Sequence, residues 1–354
     1  MSNLSTEAGF LTLADISGYN AFLAGTEFDH AQEIIAELLE FLVERLKPLL
    51  TLVQIEGDAV FAYMPETKIG RGETLFELIE NTYAAFKNRL ASINRHRTCT
   101  CAACQNVNTL DLKFFTHYGN YIEFNLDDHH GLMGYAPMIV RKRDWKEPVA
   151  EMVGWQGYAL FTQEALTKLG LNLEDLQAVQ PASGSNITYG LNLKARYEEL
   201  LEIRQISVAP ELADASLRVE LDATPPVAWE WLNDPQKRNL WWESFTRWTT
   251  RLRPKGRTGK GAVNHCDHGI GEMVETILDW RPFDYYTVEM RITPGGFVVM
   301  QTTCLDSLAK GKTEVRVYYR LQTQGSRWLA GPVCGIVAGF LGLEMRRLKK
   351  LLAA

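Results

Sequence analysis

The stretch 11-LTLADISGYN-20 carries a carboxylate where a core strand is about to end. Phe10, Leu11, Leu13, Ala14 and Ile16 form a near-continuous apolar run, the pattern of a strand buried on both faces. Asp15 falls at the end of that run, just before the loop-prone Ser17-Gly18. A carboxylate at the edge of a core must be hydrogen-bonded, paired or bound to a metal, because its desolvation is otherwise uncompensated.

The flanking sequence says what stands next to it. In 28-FDHAQEIIAELLEFLVERLKP-48 the apolar residues Ala31, Ile34, Ile35, Leu38, Leu39, Leu42 and Leu46 fall on one helical stripe, opened by Asp29 and stopped by Pro48. Two strand-like runs, LTLVQIE and AVFAYM, follow, joined by Gly57-Asp58 as in a tight hairpin. A helix over about 73–93, a cysteine-rich loop and the strand LDLKFFTHYG complete the order β-α-β-β-α-β, a ferredoxin-like pattern. A helix at 162–169 and a strand near 187–193 are expected beyond it.

That topology supplies a neighbour for Asp15. A right-handed crossover lays the second strand parallel to the first with a gap between them, and the hairpin returns the third strand into the gap. The end of strand one then lies beside the start of strand three, which carries Asp58. Two carboxylates brought together favour a cation between them, and Mg²⁺ or Mn²⁺ takes such oxygen ligands. On residue type alone, Asp15 equally suits a helix cap and Asp58 a turn.

FLTLADISGYNAFL, QIEGDAVFAY and FFTHYG resemble, in order, three motifs of the class III nucleotide (adenylate or guanylate) cyclase catalytic domain, over about residues 8–145. The resemblance implies Asp15 and Asp58 as metal ligands, the Ile16 carbonyl as a further ligand, and His117 and Gly119 on a characteristic strand. It implies a nucleotide near Gln54, Gly57 and Lys142, and a homodimer through this domain. The sequence departs from the family where base and ribose would be held: Gln54 and Gly131 stand at the base-selecting positions, Met138 and Lys142 at those that hold ribose and stabilise the transition state. Lysine keeps a point charge without a bidentate fork, and methionine donates no hydrogen bond. A degenerate metal- and nucleotide-binding domain is expected over an active cyclase. Activity through Asp15 and Asp58 is the alternative.

His96, Cys99, Cys101 and Cys104 form a partial Zn²⁺ set, or free thiols in a loop. In NHCDHG, His265 and Cys266 of one strand point to opposite faces and cannot share a ligand.

The chain has 354 residues, enough for two domains of roughly 100–200 each. A net charge of −6 speaks against non-specific binding to nucleic acid. No basic segment followed by an apolar core opens the sequence and no run approaches a bilayer span, so a cytoplasmic protein without a transmembrane segment is expected. The expected organisation is α+β, with a cyclase-like domain over 1–205, a linker at 206–212 around Pro210, and a second domain over 213–354.

That second domain reads as an alternating strand, a Pro-initiated helix, five or six antiparallel strands, and a long helix from about Pro332 to Leu352. This helix-grip order resembles the START-like superfamily of polyketide cyclases and lipid-transport proteins, with LRVELDATPPVAWEWLNDPQKRNLWW as its opening. The resemblance implies a cavity for a small apolar ligand. Trp229, Phe297, Met300, Val333, Ile336 and Phe340 are the candidates to line it. Gly331, Gly335 and Gly339 recur every four residues on the last helix, which calls for close packing, room for a ligand or a helix contact. A sensory or binding protein is the expected function, with a polyketide cyclase or aromatase as a lesser alternative.

Overall fold

The first strand, β1 (Thr6–Ser17), is buried from Gly9 to Ile16. Its two faces alternate: Leu11, Leu13 and Asp15 on one, Phe10, Thr12, Ala14 and Ile16 on the other. The computed structural model describes residues 5–24, 28–68, 72–96, 102–126, 129–142, 149, 153–170, 174–179, 188–202, 205–242, 247–267, 271–322 and 327–353. The chain divides into two units, Met1–Ile203 and Arg204–Ala354.

In the first unit β1 is followed by α1 (Tyr19–Ala24), α2 (Phe28–Leu46), the hairpin β2 (Thr51–Glu56) and β3 (Ala59–Pro65), then α3 (Glu73–His96) and α4 (Ala102–Asn106). After these come β4 (Asp111–Leu126), β5 (His129–Met133), α5 (Tyr135–Arg141), β6 (Tyr158–Thr162), α6 (Gln163–Leu169), β7 (Gln177–Val179), β8 (Thr188–Asn192) and α7 (Leu193–Glu202). The sheet runs β2-β3-β1-β4-β6-β8-β7, with β5 on β4. The first four strands have the order that the β-α-β-β-α-β reading requires, and β3 lies antiparallel to β1. The α2 stripe buries Ala31, Ile34, Ile35, Leu38, Leu42 and Leu46. Helices α2 and α3 pack against β3 and β4.

The opposite face, with Leu11, Leu13, Phe61 and Phe115, is covered by Ala136 and Val140 of α5 and by Val149, Val153 and Trp155. The fully buried β6 was not legible in the sequence. Its run YALFT is too short to separate a strand from a helix by periodicity.

In the second unit β9 (Ala215–Leu221), α8 (Pro225–Asn233) and α9 (Pro235–Trp241) precede β10 (Arg247–Leu252), β11 (Val263–Asp267), β12 (Glu272–Arg281), β13 (Tyr285–Thr293), β14 (Phe297–Leu308) and β15 (Lys312–Leu321). The helix α10 (Ala330–Leu352) closes the chain. The sheet is antiparallel throughout, in the order β10-β11-β12-β13-β14-β15-β9, and α10 packs against β9 and β15. The alternation expected of these strands is plain in β15, where Thr313, Val315, Val317, Tyr319 and Leu321 are buried and their neighbours are not. Asp234 ends α8 and caps α9, its carboxylate accepting the Gln236 N–H at 2.7 Å.

Two expectations take a different form. The segment 206–212 is tied along the second sheet: the Ile206 N–H donates to Asp279 Oδ2 and the Val208 N–H to Thr302 Oγ1, each at 2.8 Å. The three glycines spaced by four on α10 are not close-packed among the described residues, whereas a Cβ on Gly342 would lie 3.3 Å from Leu217. A Cβ at Gly331, Gly335 or Gly339 would meet nothing within 4 Å.

Candidate functional site

In the first unit Asp15 is paired in register with Ala59, and the Ile16 N–H donates to the Asp58 carbonyl at 3.0 Å. The end of β1 therefore meets the start of β3, and Asp15 is 1% exposed. Asp58 sits in the Gly57-Asp58 turn, where Gly57 has φ +62°, a left-handed value that suits glycine.

Register also shows what else shares that sheet face. Glu56, Ala59, Asp15, Lys113 and Tyr158 form one row across β2, β3, β1, β4 and β6. Residues directly opposite in a ladder present their side chains to the same face. Lys113 Nζ lies 5.4 Å from the Tyr158 ring centroid. Burial, and then the charge of Asp15, hold the Tyr158 hydroxyl protonated well above the usual phenol range. At the row's edge, Arg141 Nε is 3.4 Å from Glu56 Oε1, and its guanidinium covers the Phe61 ring at 5.0 Å. Lys113, Glu56 and Tyr158 were missed from sequence, because only register shows that Lys113 of LDLKFF faces Asp15.

The place opposite Asp15 is taken by a lysine, and among the described residues no three His, Cys, Asp or Glu converge as a metal-holding group. The Gln54 amide donates to Glu56, so the residue at the base-selecting position is engaged within its own strand. Gly57 faces open space, Lys142 is exposed after the end of α5, and Met138 is 56% exposed. A Cβ on Gly131 would lie 2.5 Å from the Phe124 ring. His117 is buried, with Nδ1 2.9 Å from Thr162 Oγ1 and 3.9 Å from Glu164 Oε2. Burial lowers its pKa, and Glu164 opposes that shift. Cys99 and Cys101, and the side chains of His96 and Cys104, lie outside the described residues.

The second unit contains a cavity of about 260 Å³, walled by Met273, Met290 and Ile292 of the sheet and by Ile336, Val337, Phe340 and Leu341 of α10. Trp242 stands at its side, and Gln301 and Tyr319 are among its wall residues. A neighbouring space of about 40 Å³ shares Trp242, Met273, Met290, Gln301 and Leu341 with it and reaches Arg238 and Glu275. Arg238 Nη1 donates to both Glu275 oxygens at 3.1 Å, and Asn264 Nδ2 donates to Glu275 Oε1 at 2.7 Å. The guanidinium lies over the Trp248 ring at 4.4 Å. Burial would lower the Arg238 pKa, but the adjacent Glu275 charge outweighs it and the guanidinium stays charged.

Of the six candidates for the wall, Ile336 and Phe340 line this cavity. Trp229 belongs instead to an aromatic cluster, 4.6 Å from Trp280 and 5.4 Å from Tyr286 between ring centroids. Phe297 and Val333 pack against the core as partly buried residues. Met300 points the other way, opposite Glu289 and Arg320, because β14 turns Val299 and Gln301 inward. Missed were the wall residues from β12, β13 and β15, whose inward parity only the register of the sheet decides. His265 and Cys266 do lie on opposite faces, His265 Nε2 being 2.7 Å from Glu272 Oε2 and Cys266 buried.

Residues 213–353 match the family model described as polyketide cyclase / dehydrase and lipid transport. The second unit is polyketide-cyclase-like. Residues 35–151 match a family described only as a protein of unknown function. An uncharacterized protein of Mycobacterium tuberculosis is 27% identical over 121 residues, 33% of this chain and 54% of that protein. The chain thus spans about half the length of the relative it matches. Among solved structures, a bacterial light-regulated adenylyl cyclase is similar with a TM-score of 0.43 and 13% identity, covering 57% of this chain and 58% of that one. An adenylyl cyclase of P. aeruginosa is similar with a TM-score of 0.36 and 14% identity, covering 53% of this chain and 94% of that one. No helix among the described residues is long and apolar enough to cross a membrane.

Proposed function

We propose that this chain is a ligand-binding protein whose second unit takes a small apolar molecule into the cavity beneath α10. The cavity itself carries the reading. Its wall is built from methionine, isoleucine, valine, leucine, phenylalanine and tryptophan, with Gln301 and Tyr319 the polar exceptions. Sites for small molecules have this composition, mostly apolar with a few placed polar groups. Ile336 is 73% exposed although it lines the cavity, which gives a ligand an entrance beside α10. The matching family's description, which includes lipid transport, supports the same class of ligand.

The test is native mass spectrometry of the intact chain with N-phenyl-1-naphthylamine, a neutral apolar fluorophore. One molecule retained per chain, and lost in Phe340→Asp, is the expected result. A chain that neither retains nor binds it would sink the reading.

For the first unit we propose a non-catalytic module, sensory or dimerising, in place of a nucleotide cyclase. Lys113 opposite Asp15 supports this, since its ammonium brings the positive charge a divalent ion would otherwise supply. Weak nucleotide binding near Gln54, Gly57 and Lys142 is compatible with it. Mn²⁺-dependent cyclisation of ATP or GTP by the intact chain, abolished in Asp58→Ala, would overturn it.

A further inference from the structure

We propose that the second unit docks on an anionic lipid surface through the hairpin of β10 and β11. The net charge of −6 conceals an uneven distribution. Met1–Ile203 holds 27 acidic and 16 basic residues, whereas Arg204–Ala354 holds 21 basic and 16 acidic, a net of +5. One stretch of the second unit, 247-RWTTRLRPKGRTGK-260, contains Arg247, Arg251, Arg253, Lys255, Arg257 and Lys260 and no acidic residue. Such asymmetry between the halves of a chain points to an anionic partner.

The fold puts this stretch at a rim. β10 is an edge strand of its sheet, paired with β11. Arg247, Arg251, Lys255 and Lys260 are exposed, and Arg253 and Arg257 are half-buried. Asp267 stands opposite Arg247, and Glu272 Oε2 lies 3.7 Å from Arg251 Nη2. The turn beyond the strand adds Arg253, Lys255, Arg257 and Lys260.

The neighbouring residues choose among anionic partners. Leu252, between Arg251 and Arg253, is 53% exposed, and Leu240 of α9 is 67% exposed. α9 is fastened to β10: Asn239 Nδ2 donates to the Trp248 carbonyl at 3.0 Å, and the Trp248 N–H donates to Asn239 Oδ1 at 2.8 Å. Leucines among arginines and lysines suit the boundary of a bilayer, where apolar side chains enter and cations meet anionic headgroups. Single-stranded nucleic acid is held by stacking on aromatic rings, and the aromatic residue of this stretch, Trp248, is 2% exposed under the Arg238 guanidinium. An acidic peptide added to the edge of β10 would need the Trp248 backbone, which Asn239 already occupies. Charged residues guard edge strands against pairing, a role that leaves the exposed leucines unexplained.

The test is sedimentation of the full chain with vesicles of phosphatidylcholine, alone or with about 30% phosphatidylserine, in about 0.1 M and about 0.5 M salt. The chain is expected to bind the anionic vesicles at least about tenfold tighter than the neutral ones, and to lose that preference in high salt. Lys255→Gln combined with Lys260→Gln is expected to weaken anionic binding about twentyfold, from about fivefold for each cation removed. Leu252→Ser is expected to weaken it about fivefold with the salt dependence unchanged. Lys349→Gln combined with Lys350→Gln removes the same charge from α10 and is expected to leave binding as it was. Thermal melts check that each variant folds. Equal affinity for the two vesicles, binding to neither, or equal weakening by the two lysine pairs overturns the inference. Release of the chain from anionic vesicles by an equal charge of duplex DNA gives the hairpin to nucleic acid and overturns it as well. Each of these outcomes leaves the reading of the cavity standing, since docking needs no occupant there.

Discussion

Lys113 stands directly opposite Asp15 across β1 and β4, on the sheet face that also carries Glu56 and Tyr158. The register thereby sets a lysine beside a buried carboxylate. Substituting Asp15→Asn and Lys113→Met singly and together is expected to give a favourable coupling of about 1 kcal/mol in urea denaturation. Additive effects would mean that the two charges do not sense each other, and that the Asp15 charge is balanced elsewhere.

His117 makes the first unit sensitive to acid. Burial lowers its pKa in the fold below the ordinary 6.5, with Thr162 and Glu164 facing the ring. The unfolded chain therefore takes up the proton first. The stability from a neutral His117 is full above about pH 6.5 and is lost as pH falls from there through the lower folded value. Thermal melts from about pH 8 to about pH 5 should show a steeper loss for the native chain than for His117→Gln, after the common loss from other groups is subtracted. Parallel pH profiles would remove His117 as the cause.

The Arg238–Glu275 pair should be costly to break from one side. Arg238 is 4% exposed and Glu275 3%, and each is the other's counterion. Arg238→Met or Glu275→Gln is expected to cost about 3–5 kcal/mol, because either leaves an uncompensated buried charge. The double variant should cost less than the two singles combined. Chemical denaturation of the three variants checks this.

The glycines of α10 and Gly157 predict opposite outcomes for the same substitution. At Gly335 and Gly339 an alanine Cβ meets nothing within 4 Å, so each change to alanine should stabilise α10 by up to about 1 kcal/mol. At Gly157 it would lie 2.3 Å from Tyr83 Oη and 2.6 Å from Asp111 Oδ1, and Gly157→Ala should destabilise the first unit. Melting temperatures of the three variants give the comparison. Destabilisation at Gly335 and Gly339 would show that a covering surface packs on that face.

Much of the architecture was legible because it is local. The stripe of α2 needs only a period of 3.6, the hairpin needs Gly57-Asp58, and the strands of the second sheet need only alternation. Even the meeting of β1 with β3 follows from element order and the handedness of one crossover. Periodicity places Ile336 and Phe340 on α10 without saying which faces of the sheet look at them.

The tertiary structure decided what stands around those elements. Lys113 faces Asp15 only because β4 pairs with β1 in one register, and a shift by a single residue would turn the lysine to the other face. Met300 falls outside the cavity, and Gln301 inside it, for the same reason. The sequence alone determined that LTLADISGYN ends a core strand on a carboxylate with Asp58 beside it. Which residue stands opposite Asp15, and which side chains wall the cavity of the second unit, depend on contacts between residues far apart in the chain. Those are set by sheet register and by what each side chain meets when buried.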